Sequence, residues 1–342
     1  MGETLTLLTI DHEAHRPFWE AVDTDRLTYP HNNSFLLRYL GAFEVPAKYD
    51  NYIIENLQSL SYLKYNPLLR GKNNIALVAD GLPYILDERP EWYYNSLRTS
   101  DSIPKFVRNF YLREVKKGLK MLDGAIVISP VLKKYLSKIY NGPIEVCPPS
   151  MSEEKIEYLE QIEPSSSPSV FSVIRSSEWK GLDLLLEAVE IAREEVENLQ
   201  LNLKIHREYY RKNREKLDRD YINLHMEWYS PEKYAELFSE NMIYVQASHF
   251  EPHGVAVSEA MCGGLKPVVA ERVGAKQLFE DEFPELVREH SPEDLAEGII
   301  KQIKIDKGKR EEESHRMREL SKQVYPEKSR ERFREKFEKL KQ

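Results

Sequence analysis

One local pattern recurs along most of the sequence. A short, nearly continuous apolar run is followed by a longer stretch with apolar residues at helical spacing. Thr4–Ile10, Tyr52–Glu55, Ile75–Ala79 and Ala125–Ser129 are runs of the first kind. Phe106–Leu122 and Val131–Ile139 are stretches of the second. A strand that is apolar on both faces must be covered on both, and helices that return the chain to the next parallel strand supply the cover. The pattern therefore predicts an α/β chain with mostly parallel sheets. It halts at Cys147-Pro148-Pro149-Ser150 and resumes after Glu163-Pro164-Ser165-Ser166-Ser167-Pro168. Strands are then predicted at Val170–Ile174, Leu201–Ile205, Ile222–Met226, Met242–Gln246 and Pro267–Ala270, and helices at Leu182–Arg193, Val255–Cys262 and Pro292–Ile303. Prolines break strand pairing and serines add no core, so residues 150–168 read as a linker between a first domain, 1–149, and a second, 169–305. The remainder, 306–342, is rich in Glu, Lys and Arg and reads as helical and mostly solvated.

The 342 residues suit two domains at roughly 150 residues each. With 41% hydrophobic and 31% charged residues, the chain is globular rather than disordered. Its longest apolar runs, such as Gly124–Ser129 and Leu182–Leu186, fall short of the roughly 18 residues a membrane helix needs. No basic stretch precedes an apolar core at the N-terminus, which argues against a secretory signal. Cys147 and Cys262 are too few for a disulfide framework or a four-cysteine zinc site, and the predicted compartment is the cytosol. A net charge of -8 argues against nucleic acid as a partner. The charge is uneven. Residues 1–149 carry 18 Lys and Arg against 17 Asp and Glu, with 12 of the 20 tyrosines, so the excess acid lies in the second half. Such different halves suit different ligands.

The densest motif is His249-Phe250-Glu251-Pro252-His253-Gly254-Val255-Ala256-Val257-Ser258-Glu259-Ala260-Met261-Cys262-Gly263-Gly264. It follows a predicted strand, so Glu251 falls at a strand-to-helix turn. Gly254 allows close backbone approach to a ligand, and the helix starting there offers free N–H groups to a phosphate. Glu259 follows eight residues later. Two carboxylates beside such a helix start suit a nucleotide sugar, whose vicinal hydroxyls pair with carboxylate oxygens. Read as isolated acids they would be solvated surface residues, and the surrounding pattern decides between the two.

The stretch resembles the Glu-x7-Glu signature of the retaining glycosyltransferases of family 4, also called glycosyl transferases group 1. Glu251-Pro252-His253-Gly254 stands for the family's Glu-Gly-Phe-Gly. Glu259-Ala260-Met261 stands for Glu-Ala-Met, and Gly264-Leu265-Lys266-Pro267-Val268-Val269-Ala270 for Gly-x-Pro-Val-Val-Ala with one residue inserted. Gly274 resembles the glycine of the next family loop. Upstream, Arg175-Ser176-Ser177-Glu178-Trp179-Lys180-Gly181 precedes Leu182-Asp183-Leu184-Leu185-Leu186-Glu187-Ala188, and Arg175 lies 76 residues before Glu251. In the family, an Arg and a Lys so placed hold the donor diphosphate, and two cations can meet the charge that builds on that leaving group.

The resemblance is specific over about 175–275. It implies two Rossmann-like domains facing a cleft, the GT-B fold, with the donor on the second domain and the acceptor on the first. It also implies a final helix, within Glu327–Gln342, that returns to the N-terminal domain. The implied reaction is hexosyl transfer from a UDP- or GDP-linked sugar to an acceptor hydroxyl, with retention, and with neither cofactor nor metal. Arg175, Lys180 and Glu251 would be catalytic; Glu259, His253, Gly254, Val255 and Ser258 would bind the donor. The sequence departs from the family at three loops. Asp11-His12-Glu13-Ala14-His15-Arg16-Pro17 replaces a glycine-rich turn, leaving His15 and Arg16 as candidates for an acceptor or phosphate contact. His206-Arg207-Glu208 stands where glycines are usual. Asp80 stands where many members carry a catalytic His, at a strand's C-terminal end where it could orient a hydroxyl; an Asp80-Gly81 turn is the plainer alternative.

Other patterns carry less. His12-Glu13-Ala14-His15 is one residue short of a zinc-protease motif, Pro252 keeps His249 and His253 from sharing a helix face, and no P-loop or Gly-x-Gly-x-x-Gly occurs. Met1-Gly2-Glu3-Thr4-Leu5-Thr6 matches a myristoylation pattern but runs into a buried-strand pattern. Pro104–Leu122 holds six Lys or Arg and one Glu among apolar residues. It reads either as an ordinary packed helix or as a peripheral contact with an anionic membrane. With the tyrosines, it suggests a glycan or lipid-linked acceptor. A non-catalytic nucleotide-sugar-binding subunit and a nucleotide-sugar epimerase of the same fold are the competing readings.

Overall fold

The computed structural model describes residues 5–10, 24–29, 51–55, 73–79, 113, 115–174 and 178–341. They form two compact units, Met1–Ser150 with Pro326–Gln342, and Met151–Tyr325.

The first unit is built on a parallel sheet of β1 (Leu5–Ile10), β2 (Thr24–Tyr29), β3 (Asn51–Glu55), β4 (Asn73–Val78), β5 (Gly124–Val127) and β6 (Ile144–Val146). Its order is β2-β1-β3-β4-β5-β6. Tyr52, Ile53, Ile54 and Ile75–Ala79 are buried without alternation, as a sheet covered on both faces requires. Helix α1 (Pro130–Leu136) starts at Ser129, whose hydroxyl accepts from Leu132 N at 3.3 Å, with Pro130 at the first helical position. In the basic segment, residues 115–119 are helical. Val115 and Leu119 are buried there, one turn apart, while Lys116, Lys117 and Lys120 are exposed.

The second unit holds a parallel sheet of β7 (Ser169–Ile174), β8 (Gln200–Ile205), β9 (Ile222–His225), β10 (Ile243–Gln246), β11 (Lys266–Ala270) and β12 (Val287–Arg288), in the order β12-β11-β10-β7-β8-β9. Its helices are α2 (Glu153–Leu159), α3 (Leu182–Glu195), α4 (Arg207–Leu217), α5 (Pro231–Ser239), α6 (Val255–Cys262), α7 (Pro292–Ile303) and α8 (Lys307–Ser321). Strand order runs one way from β7 to β9 and the other way from β10 to β12. Right-handed crossovers therefore place α3 and α6 on opposite faces. Accordingly α3 packs along α7, whereas α6 lies against α2 and α8. Leu185, Ala188, Val189 and Ala192 of α3 are all fully buried.

Two expected boundaries are corrected. Residues 150–168 are not a bare linker, because they contain α2, whose Ile156 and Leu159 are buried in the second core together with Met151. The segment 306–342 does not act as one piece. Helix α8 belongs to the second unit, and it is α9 (Pro326–Leu340) that belongs to the first. Phe333, Phe337 and Leu340 of α9 are buried, and Lys339 reaches Glu145 of β6 at 2.6 Å. A Cβ on Gly124 would lie 2.8 Å from Leu340 Cδ2, so the bare backbone of residue 124 lets the Leu340 side chain of α9 pack directly on β5.

Candidate active site

In an open parallel sheet, ligands gather at the carboxyl ends of strands where the order reverses. In the second sheet that point lies between β7 and β10, which pair in parallel. The chain leaving β7 carries Lys180, and the chain leaving β10 carries Glu251.

The two exits are fastened together. His249 N donates to the Trp179 carbonyl at 2.8 Å. Gly181, just after Lys180, has φ 69°, and a Cβ there would stand 1.9 Å from the Ala247 carbonyl oxygen. Only glycine meets both demands, the left-handed backbone and the close approach. Lys180 Nζ then donates to Glu251 Oε2. The Lys180 side chain is 22% exposed and that of Glu251 11%, so the pair sits at the edge of the interior.

The chain after β11 braces Glu251 from the other side. Glu251 N donates to the Arg272 carbonyl, Gly274 N donates to the Glu251 carbonyl at 2.9 Å, and Ala275 N donates to the His253 carbonyl at 2.6 Å. Gly254 caps α6 with φ 94°. Val255, the first helical residue, is 40% exposed, so the N-terminus of α6 is open to solvent. An open helix start beside a lysine is suited to a phosphate.

Glu259 lies one turn into α6 and is 3% exposed. Lys155 Nζ of α2 donates to its Oε1 at 2.5 Å, and Tyr234 Oη of α5 donates to its Oε2 at 3.1 Å. Beneath the site, Tyr244 is fully buried and its phenol is held well above its usual range, first by burial and then by the charges of Glu251 and Glu259. His253 and Ser258 face each other at 3.2 Å inside the fold. Burial pushes His253 down to about 3, which keeps its ring neutral. Both side chains point into the interior, and it is the backbone of 253–255 that borders the open helix start.

A second set of side chains stands next to Glu251. His249 Nε2 donates to Asp183 Oδ1 at 3.2 Å, and its Nδ1 lies 2.7 Å from His290 Nε2. The hydrogen bond from His249, above all, holds the Asp183 carboxyl below its usual range. Burial first, and then the neighbouring His249, pushes His290 down to about 4.

Of the residues singled out in the sequence, Lys180, Glu251, His253, Gly254, Val255, Ser258 and Glu259 thus converge at the carboxyl end of the second sheet. Arg175, Asp80, His15 and Arg16 lie outside the described residues. Lys155, Tyr234, Asp183 and His290 were not singled out. Ser230-Pro231 is a readable helix start, since Ser230 accepts from Lys233 N at 3.2 Å, and it would have placed Tyr234 on α5. No local signal marks Lys155.

Two six-stranded parallel sheets with their helices define a mixed α/β protein of two Rossmann-like domains, the GT-B fold of glycosyltransferases. Residues 155–324, nearly the whole second unit, match the family model described as "Glycosyl transferases group 1". No curated protein matches the sequence. Among solved structures, the chain is similar to sucrose-phosphate synthase from Thermosynechococcus elongatus, at 15% identity and a TM-score of 0.71 over 99% of both chains. It is also similar to HepE of Anabaena in complex with UDP, at 13% identity and a TM-score of 0.72 over 99% of this chain and 100% of that one. An OtsA structure aligns over 100% of this chain and 99% of its own at 11% identity and a TM-score of 0.72. At such identities the likeness is one of fold. Among the described residues, no helix is long and apolar enough to cross a membrane.

Proposed function

We propose that the protein is a retaining, metal-independent glycosyltransferase of family 4 that moves a hexosyl group from a nucleotide sugar to an acceptor hydroxyl. The observation that carries this reading is the meeting of Lys180 and Glu251 where β7 and β10 end, beside the open start of α6. A nucleotide sugar brings a diphosphate, a sugar with vicinal hydroxyls and a ribose, and the site offers a partner for each.

Lys180, joined by Arg175, meets the charge that builds on the diphosphate as its bond to the anomeric carbon breaks. Glu251 accepts from the sugar hydroxyls, with the backbone of 253–255 close by. Glu259 accepts from the ribose. The acceptor oxygen bonds to the anomeric carbon on the face the diphosphate leaves, and its proton passes to the departing phosphate oxygen. Asp80, with His15 and Arg16, would orient an acceptor that is a glycan or a lipid-linked sugar on the first unit. The two cations do the work a metal would otherwise do. HepE has been solved in complex with UDP-glucose, which makes a UDP-hexose the first donor to test and a GDP-hexose the second.

The experiment is turnover of UDP-glucose and GDP-mannose with a panel of glycan and lipid-linked acceptors, the product's anomeric configuration being read by NMR. Glu251→Gln should lower kcat by about a hundredfold or more while the protein stays folded. Lys180→Met should weaken UDP or GDP binding by about tenfold or more. Excess chelator should leave the rate unchanged. Full turnover by folded Glu251→Gln overturns the assignment. An inverted product refutes retention, and nucleotide binding without any turnover leaves a binding subunit instead.

A further inference from the structure

Glu259 is a buried carboxylate, and burial of an unpaired charge is costly. Its partners are supplied by two helices. Lys155 of α2 donates to Oε1 at 2.5 Å, Tyr234 of α5 donates to Oε2 at 3.1 Å, and the same Lys155 ammonium lies 4.6 Å from the centre of the Tyr234 ring. The ring's negative face adds to the hold on the ammonium. Lys204 of β8 lies farther from the same ring, at 6.0 Å, and donates to the Glu227 carbonyl at 2.7 Å. Among the described residues each Glu259 oxygen has one side-chain donor, which leaves lone pairs for a second. The Lys155 side chain is 33% exposed, so the pair opens towards solvent on one side.

We infer that Lys155 is a positioning residue for Glu259, fixing the buried carboxylate in charge and orientation so that it accepts from the vicinal hydroxyls of a ribonucleoside diphosphate. Tyr234 is the second brace, locking the oxygen that Lys155 does not hold. Lys155 acts through Glu259 and needs no contact with the ligand. The inference rests on the donor-binding reading of Glu259 given above. It adds that the selection of ribose over deoxyribose is set from α2, a helix outside the Glu-x7-Glu motif.

The test is calorimetric binding of UDP, GDP and their 2′-deoxy counterparts to the full-length protein and to Lys155→Met, Lys155→Arg and Tyr234→Phe. The parent should prefer the ribonucleotide by about tenfold, the worth of one charge-assisted hydrogen bond. Lys155→Met should bring that ratio close to one and leave affinity for the 2′-deoxy compound within about twofold, because the diphosphate contacts are untouched. Lys155→Arg should keep most of the preference. A merely structural lysine would lower the melting temperature without moving the ratio. Folded Lys155→Met with the parent's ratio overturns the inference. Should Lys155→Met not fold, an unchanged ratio in Tyr234→Phe overturns it equally. A parent that binds UDP or GDP with no preference for the ribonucleotide overturns this inference alone, since Glu251 and Lys180 still account for the donor. A parent that binds neither nucleotide takes the donor-site reading down with it.

Discussion

Gly181 shows how the absence of a side chain can aim a charge. Its left-handed backbone and its contact with the Ala247 carbonyl turn the chain so that the preceding Lys180 meets Glu251. Gly181→Ala should cost about 1–2 kcal/mol from the backbone alone, with the clash added. Urea unfolding should show the loss, and nucleotide affinity should fall with it because Lys180 is displaced. A variant as stable as the parent would contradict this account. Lys180, Gly181, Glu251 and Gly254 were all legible in the sequence, since each sits in a contiguous motif whose local geometry needs that residue type. Lys155 was not, because its partner lies 104 residues away and nothing around it signals the pairing. The same holds for Asp183 and His290, which meet His249 only when three strand exits at one end of the sheet come together.

Several of the elements that were missed are short, or have narrow apolar faces. β12 has two residues and β6 three, too few to show periodicity. α2 looked like part of a linker because prolines and serines flank it and it is seven residues long; Ile156 and Leu159 are its buried residues. α4 has Tyr209 and Leu217 as its buried residues and otherwise presents charge. α9, equally charged, is held by an aromatic and aliphatic stripe in which Phe333 and Phe337 stack at 6.4 Å. Leu340→Ala should open space against Gly124 and destabilise the first unit by about 2–4 kcal/mol. The buried thiols report on each unit separately. Cys147 should react faster with a thiol reagent in Leu340→Ala, and Cys262 at the parental rate. Equal acceleration of both would show that the units do not respond independently.

For the whole molecule, pH provides a test of the neutral interior behind the site. His253, held down at about 3, refuses a proton that the unfolded chain accepts near its usual 6.5. Its contribution to stability is therefore intact above about pH 6.5 and is lost as pH falls towards 3. The slope is roughly 1.4 kcal/mol per pH unit, and His290, at about 4 and only partly buried, adds a smaller amount. Urea midpoints measured from pH 7.5 to 5 should decline, and less steeply in His253→Gln. Equal slopes in parent and variant would remove His253 from this role. The alternation of apolar runs with amphipathic stretches determined the α/β class and the parallel sheets, because side-chain periodicity and turn residues act over a few positions and need no knowledge of the rest of the chain. It also placed the strand-to-helix turns that carry Lys180 and Glu251. Tertiary structure alone decided the strand order that brings β7 beside β10, the division of the charged tail between α8 and α9, and the lysine that Glu259 faces. Those depend on which distant surfaces bury each other best, a property of the packed whole that no short window of sequence contains.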